Sequence, residues 1–307
     1  MSEEMSFKSK LVKYLVAEFN SNKRMTNKYV AGSYNKSDID VEYKYPDHLV
    51  AEKISMENFE MEKLTWKDSE SNWVILQLHG GGYVGAMRKQ YKQMAGLYSE
   101  VGGGATVLSV DYRVAPEFPF PAALEDAEAA YMWLLDQGYT SDRIVLGGDS
   151  AGGGLAMALC HVLKSKWMPK PAGIIAMSPW TDLTTSGSSY KENYKIDPVF
   201  GNDRVGLLFA NPYIGNADPT DYRISPYFGD FTGFPPMLIQ VGTDEMLLSD
   251  SEMVAEKAKS QGVKVRFTKY QGMFHVFQMA GTIMDESKRA WAEVKKFLEE
   301  IEINRFE

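Results

Sequence analysis

The stretch Arg143-Ile-Val-Leu-Gly-Gly-Asp-Ser-Ala-Gly-Gly-Gly154 decides how the rest of the chain is read. A compact apolar run, Ile144 to Leu146, stops at glycines, and a helix-like sequence follows from Ala151. Between them lies Gly148-Asp-Ser-Ala-Gly152, which fits the pattern G-x-S-x-G. The physical reading is a strand-to-helix turn so sharp that Ser150 takes strained dihedrals, with glycines letting strand, turn and helix approach without Cβ clashes. Such a turn lifts the Ser150 hydroxyl to the C-terminal edge of a sheet and aims a helix N-terminus at whatever it attacks. Alone, the pattern describes a tight turn as well as a nucleophile mount. What decides between them lies elsewhere in the chain.

Composition sets the frame. The 307 residues suit one large α/β domain or two small ones, and a hydrophobic fraction of 44% with 12% aromatics is ample for a large core. A net charge of −8 argues against nucleic acid or an anionic membrane as partner, since both favour a basic patch. One cysteine, Cys160, excludes an intramolecular disulfide and fits a reducing compartment. It sits among Ala156, Met157 and Leu159, as a small buried hydrophobe would. No secretory signal pattern is visible between Met1 and Asn20, and no stretch has the apolar length to span a bilayer. A soluble, cytoplasmic protein is expected.

In chain order, residues 1 to about 45 read as two helical segments around a polar break at Asn20 to Met25. In the first, Phe7, Leu11, Leu15, Val16 and Phe19 recur at helical spacing. His48 has no charged or nucleophilic neighbour and reads as a surface histidine. Phe59, Met61, Leu64 and Trp66 suggest short strands. Trp73 to Leu78 is near-continuously apolar, so buried on both faces, and Ala105 to Val110 is a second such strand. Pro121 fits the first turn of a helix carrying Leu124, Ala127, Tyr131 and Leu134 on one face. Ile144 to Leu146, Gly173 to Met177, Met237 to Val241 and Lys264 to Tyr270 are further strands. Helices are read at Ala151 to Lys166, about Ser249 to Gln261, and about Asp285 to Ile303. Alternation of strands and helices predicts a mostly parallel sheet with helices on both faces. Asp182 to Tyr227 breaks the rhythm with scattered aromatics, four prolines and no strand signal, and is far longer than an ordinary αβ connection. It reads as an insertion over the C-terminal edge of the strands. The expected organisation is therefore an N-terminal helical segment (1–48), a core (49–181 and 228–307) and a cap insertion (182–227).

A nucleophilic serine needs a base, and of four histidines His275 is the one in a loop after the last strand. His161 reads as a satisfied helix-face residue, and His79 opens a glycine run. His275 also completes the chain order serine, acid, histidine. The acid belongs at the end of the preceding strand, where Gly242-Thr-Asp-Glu245 stands. Asp244, the first carboxylate past the strand, is favoured to accept the Nδ1 proton of His275, with Glu245 as its rival one residue on. Attack on a carbonyl makes an oxyanion, which needs N–H donors. Ala151 supplies one and the run Gly80-Gly-Gly82 the others, its amides unshielded by side chains. Zinc-protease, P-loop and dinucleotide patterns are absent, so neither metal nor cofactor is expected.

Taken together, His79-Gly-Gly-Gly-Tyr83, Asp111-Tyr-Arg-Val-Ala-Pro-Glu117, Pro119 to Asp126, Gly148-Asp-Ser-Ala-Gly-Gly153, Ser178-Pro-Trp-Thr-Asp-Leu183, Gly242-Thr-Asp244 and His275 resemble the hormone-sensitive-lipase-like bacterial carboxylesterases of the α/β-hydrolase class. The resemblance covers about residues 50 to 300 in order. It implies an α/β-hydrolase fold with a helical cap, a Ser150, Asp244, His275 triad, and an oxyanion hole from the amides of Gly81, Gly82 and Ala151. His79 and Gly80 would shape that loop, and a homodimer through a sheet edge is implied as well. Two departures stand out: Glu245 where the family often has proline, and Val276-Phe277 where it often has Gly-Phe after the histidine. A β-branched residue tolerates positive φ badly, so the histidine loop is expected to take a different local conformation. Both variants are similar to those of monoterpene ε-lactone hydrolase-type members. The implied activity is hydrolysis of small or short-acyl esters. Lactone hydrolysis or deacetylase/amidase chemistry with the same triad is the alternative. A non-catalytic receptor on a hydrolase scaffold is opposed by the retention of Ser150, Asp244 and His275. The cap aromatics Tyr190, Tyr194, Phe200, Phe209 and Tyr213 suit either an apolar pocket or packing of the cap.

Overall fold

The structure is a computed structural model that describes residues 5–20, 43–201, 208–209 and 211–304. Eight strands form one sheet: β1 Leu49–Ser55, β2 Glu60–Trp66, β3 Val74–Leu78, β4 Thr106–Asp111, β5 Ile144–Asp149, β6 Gly173–Met177, β7 Met237–Gly242 and β8 Val265–Tyr270. Their spatial order is β1-β2-β4-β3-β5-β6-β7-β8. β1 pairs antiparallel with β2 and β2 antiparallel with β4, while every pair from β4 through β8 is parallel. β3, β5, β6 and β7 are buried at every position, as strands covered on both faces must be.

Among the described residues the α-helices are α1 Phe7–Asn20, α2 Lys89–Val101, α3 Ala122–Asp136, α4 Ala151–Ser165, the single turn α5 Ser189–Glu192, α6 Leu248–Ser260 and α7 Asp285–Asn304. Alternation along β3 sorts them into layers. Val74, Leu76 and Leu78 face a core shared with α3, α4 and α6 through Ala127, Leu155 and Val254. Ile75 points the other way, into a core built with Tyr98 of α2 and Phe297 of α7. The sequence reading omitted α2, although Tyr91, Met94, Ala95 and Tyr98 are buried at helical spacing on one face. The second N-terminal helical segment expected before residue 45 lies outside the described residues.

Strand order places the functional loops. The chain leaves β3 toward β4 on one side and returns through α3 to β5 on the other, so the loops after β3 and β5 diverge at a topological switch point. The first begins with His79 and the second holds Ser150. The parallel registers Leu78 with Gly148, Asp149 with Met177, Met177 with Gln240 and Gly242 with Tyr270 bring the ends of β3 and β5 to β8 to one edge. Among the described residues no helix is long and apolar enough to cross a membrane.

Candidate active site

Ser150 has φ 52° and ψ −123°, a region sparsely populated by non-glycine residues. Its surroundings hold it there. The Ser150 amide donates to Met177 O at 2.9 Å, and its carbonyl accepts from Trp180 N at 2.9 Å and Gly154 N at 3.2 Å. The flanking glycines are required by close approach: a Cβ on Gly148 would sit 2.3 Å from Gly152 O, and one on Gly152 would sit 2.0 Å from Leu78 O. The turn therefore has the tight, strained geometry expected of a nucleophile mount, with Ser150 at the N-terminus of α4.

The glycine loop after β3 is fastened group by group. Gly80 N donates to Asp149 Oδ1 at 3.1 Å, and His79 Nδ1 lies 2.6 Å from Gly80 O. Tyr112 Oη donates to His79 O at 2.6 Å while its ring stacks on the imidazole at 4.1 Å. Gly81 O accepts from Val84 N at 3.2 Å and Gly85 N at 2.9 Å. In a trans peptide the N–H points opposite to the preceding C=O, so these anchors turn the N–H groups of Gly81 and Gly82 away from the loop's own bonds. Gly81 and Gly82 take φ of 110° and 63°, values that suit glycine. Burial pushes the Asp149 carboxyl up to about 7.

The acid turn corrects the sequence reading. Asp244 does not meet His275: it forms an ion pair with Lys13 of α1, and its side chain is 22% exposed. Glu245, with a side chain at 0% exposure, accepts His275 Nδ1 at Oε2, 2.8 Å away. Its Oε1 accepts from Gly242 N at 2.5 Å and Ser178 Oγ at 2.9 Å. Two adjacent residues in a turn point in different directions, and it is the second that points inward. Burial raises the Glu245 carboxyl, against the opposing pull of its hydrogen bond to His275.

Val276 also departs from expectation. It adopts the left-handed conformation, φ 50° and ψ 42°, that a β-branched residue was expected to avoid. The strain is held by burial and by the Val276 amide, which donates to Ser178 Oγ at 3.1 Å. Ser178 therefore ties Glu245 to the histidine loop, and it is itself at φ 48° with its amide donating to Gln240 O at 2.7 Å. The sequence analysis quoted Ser178 within a motif without giving it a role. Asn193, beyond α5, was missed too: its Nδ2 donates to Thr243 O at 2.9 Å and Glu245 O at 2.8 Å.

α1 rests on the histidine loop. Lys13 Nζ donates to Gly272 O at 3.1 Å as well as to Asp244, and Met5, Val12 and Val16 pack on a cluster that includes Met273, Phe274 and Phe277. Of the aromatics between β6 and β7, Phe200 lies 4.6 Å from the His275 ring, centroid to centroid. Tyr213 stacks on Tyr83 at 3.9 Å, Tyr190 is buried, Tyr194 is partly buried against the core, and Phe209 is largely exposed. His161 is buried with Nε2 3.1 Å from Pro226 O, and burial lowers it to about 4, so it is a packing residue. His48 is exposed against Trp66, and Cys160 is buried. A cavity of about 690 Å³ along β2 and β4, lined by Phe59, Met61, Met87 and Asp111 among others, includes none of Ser150, Glu245 and His275.

Comparison with known proteins agrees with this geometry. The family model described as the alpha/beta hydrolase fold matches residues 75–279. An acetyl-hydrolase of Streptomyces hygroscopicus is 38% identical over 216 residues, covering 70% of this chain and 72% of the relative. An esterase of Acinetobacter venetianus is 36% identical, covering 75% and 76%. Among solved structures, an esterase from the bacterial hormone-sensitive lipase family superposes with a TM-score of 0.82 at 35% identity, covering 96% of this chain and 98% of that one. The chain belongs to the α/β-hydrolases, in their bacterial hormone-sensitive-lipase branch.

Proposed function

We propose that the chain is a serine carboxylesterase that hydrolyses small or short-acyl carboxylic esters through an acyl-enzyme intermediate. The observation that carries this reading is the hydrogen bond between His275 and the buried Glu245, on the same sheet edge as a strained Ser150. His275 Nε2 takes the proton of Ser150 Oγ as it attacks the ester carbonyl. Glu245 holds the ring through Nδ1–H and stabilises the imidazolium that forms. The N–H groups of Gly81, Gly82 and Ala151 receive the carbonyl oxygen as it gains charge. Collapse of the tetrahedral adduct breaks the ester C–O bond, and His275 returns the proton to the leaving alkoxide. Water, deprotonated by His275, then attacks the acyl-enzyme, releasing the acid and restoring Ser150. The name of one relative, acetyl-hydrolase, supports a short acyl group, and that of the other, esterase, supports ester hydrolysis.

α1 and the described parts of residues 182–227 (182–201, 208–209 and 211–227) form a cap over this edge. Two contacts support that reading, Lys13 at the acid turn and Phe200 against His275. The cytoplasm is the compartment we assign. We assign a homodimer too, joined at an outer strand of the sheet, where sedimentation measurements would return twice the chain mass. The central test uses short-chain p-nitrophenyl esters and a serine-directed phosphonate. Ser150→Ala is expected to lower kcat by about 10⁴-fold or more and to abolish labelling. Hydrolysis at the wild-type rate by that variant would overturn the reading.

A further inference from the structure

Each carbonyl of the glycine loop has a holder, and one holder comes from far away. Gly80 O faces His79 Nδ1 and Gly81 O accepts from Val84 and Gly85, all within the loop. Gly82 O instead accepts from Asn211 Nδ2 at 2.9 Å, a residue 129 positions later in the cap. Asn211 is itself oriented, since its Oδ1 accepts from Tyr213 N at 2.7 Å and it is 9% exposed. Its amide therefore presents its N–H to Gly82 with little freedom. The adjacent Tyr83 is clamped by its stack on Tyr213, 3.9 Å between centroids and 7° between planes, and its carbonyl accepts from Ala115 N at 2.8 Å.

These contacts matter because glycine resists rotation least. Gly82 sits at φ 63° with no side chain to hold it, and its two torsions join the peptide plane that carries its N–H and Gly81 C=O to the plane that carries its own C=O and Tyr83 N–H. With Gly81 O held by Val84 and Gly85 and Gly82 O held by Asn211, both peptide planes that flank Gly82 are fixed, so the torsions between them cannot drift and the Gly82 N–H keeps its aim. We propose that Asn211 is a positioning residue for the oxyanion hole: by holding Gly82 O it keeps the Gly81 and Gly82 amides aimed at the developing oxyanion, and so couples seating of the cap to the chemical step. Asn211 touches no reacting atom, so its influence falls on transition-state binding more than on ground-state binding.

The inference rests on the esterase reading, and the experiment separates the two. Asn211→Ala and Asn211→Asp are compared with wild type on a short-chain p-nitrophenyl ester, with active sites counted by end-point phosphonate labelling. Asn211→Asp keeps the acceptor for Tyr213 N but sets a carboxylate oxygen where the donor was. A loss shared with the neutral Asn211→Ala therefore reports the missing donor, and Asn211→Asp carries the test should Asn211→Ala fail to fold. The expected result is a fall in kcat per labelled site of about 10- to 100-fold, with KM within about 3-fold, because loosening a donor costs part of what deleting one costs. A trifluoromethyl ketone, which mimics the tetrahedral adduct, is expected to weaken in proportion to kcat/KM. A residue that merely stabilised the fold would lower the count of labelled sites and leave kcat per site unchanged. Wild-type kcat per site, or unaltered ketone affinity, in the variants of an active enzyme overturns the role of Asn211 alone. Absence of both hydrolysis and labelling in the wild-type protein overturns the esterase reading and this inference with it.

Discussion

The turn after β5 and the turn after β7 both deliver a polar side chain to the same sheet edge, but they are built in opposite ways. The first is steric. Gly148 and Gly152 lie where a Cβ would meet backbone 2.3 Å and 2.0 Å away, so the sequence pattern and the conformation imply one another. The second is a network. Glu245 faces inward because Gly242 N, Ser178 Oγ and His275 Nδ1 converge on it, while Asn193 and Asp197 hold the backbone around it. Its neighbour Asp244 is drawn outward by Lys13. A steric turn is written in its own residues, whereas a network turn is written in residues scattered from Lys13 to Val276.

Substitutions in the two turns break the comparison at different points. The largest effect is expected at Glu245→Gln, which leaves His275 without its carboxylate; kcat should fall about 10³- to 10⁴-fold while KM changes little. The paired variant Asp244→Asn should stay within about 3-fold of wild-type kcat, since it severs only an ion pair of modest worth. The reverse ranking in steady-state kinetics would return the acid role to Asp244. Gly152→Ala attacks the steric turn and should leave little folded protein by thermal melting, the Leu78 carbonyl being rigid sheet backbone. Ser178→Ala removes the tie between acid and histidine loop, and a fall in kcat of about 10-fold is expected with a smaller change in KM.

The smallest effect concerns stability. Asp250 in α6 is buried and accepts from Thr181 N and Asp182 N, both at 2.9 Å, shortly after the chain leaves β6. Burial pushes its carboxyl up to about 8. The folded state therefore holds a proton that the unfolded state has released, and stability declines as pH rises from about 4 to about 8. Asp250→Asn keeps an acceptor oxygen and removes the titration, so its melting temperature should gain on wild type across that window. Parallel melting curves for the two proteins would exclude this account.

Much of the core was legible because its residues declare themselves locally. β3 and β5 read as apolar runs, α3 as a Pro-led amphipathic stripe, and α4 as the helix behind Ser150. That Ser150, His275 and the glycine loop stand at the ends of their strands was expected from chain order and spacing. The carboxylate that meets His275 was not legible, since proximity to a strand end does not say which of two successive carboxylates turns inward. Val276 was misread for a related reason: local preference disfavours its left-handed φ, and the hydrogen bond to Ser178 Oγ, 98 positions away, overrides it. Asn211 carried no sequence signal at all, because a side-chain amide is common and its meaning lies in which carbonyl it reaches.

The sequence by itself determined the alternating α/β order, the strained serine turn and the glycine-rich amide loop, because each depends on residues within hydrogen-bonding or van der Waals reach along the chain. Only the tertiary structure decided that Glu245 faces His275, that Lys13 occupies Asp244 and that Asn211 holds Gly82. Those are choices among near-equivalent polar groups, settled by which one is buried with partners and which one stays in contact with water.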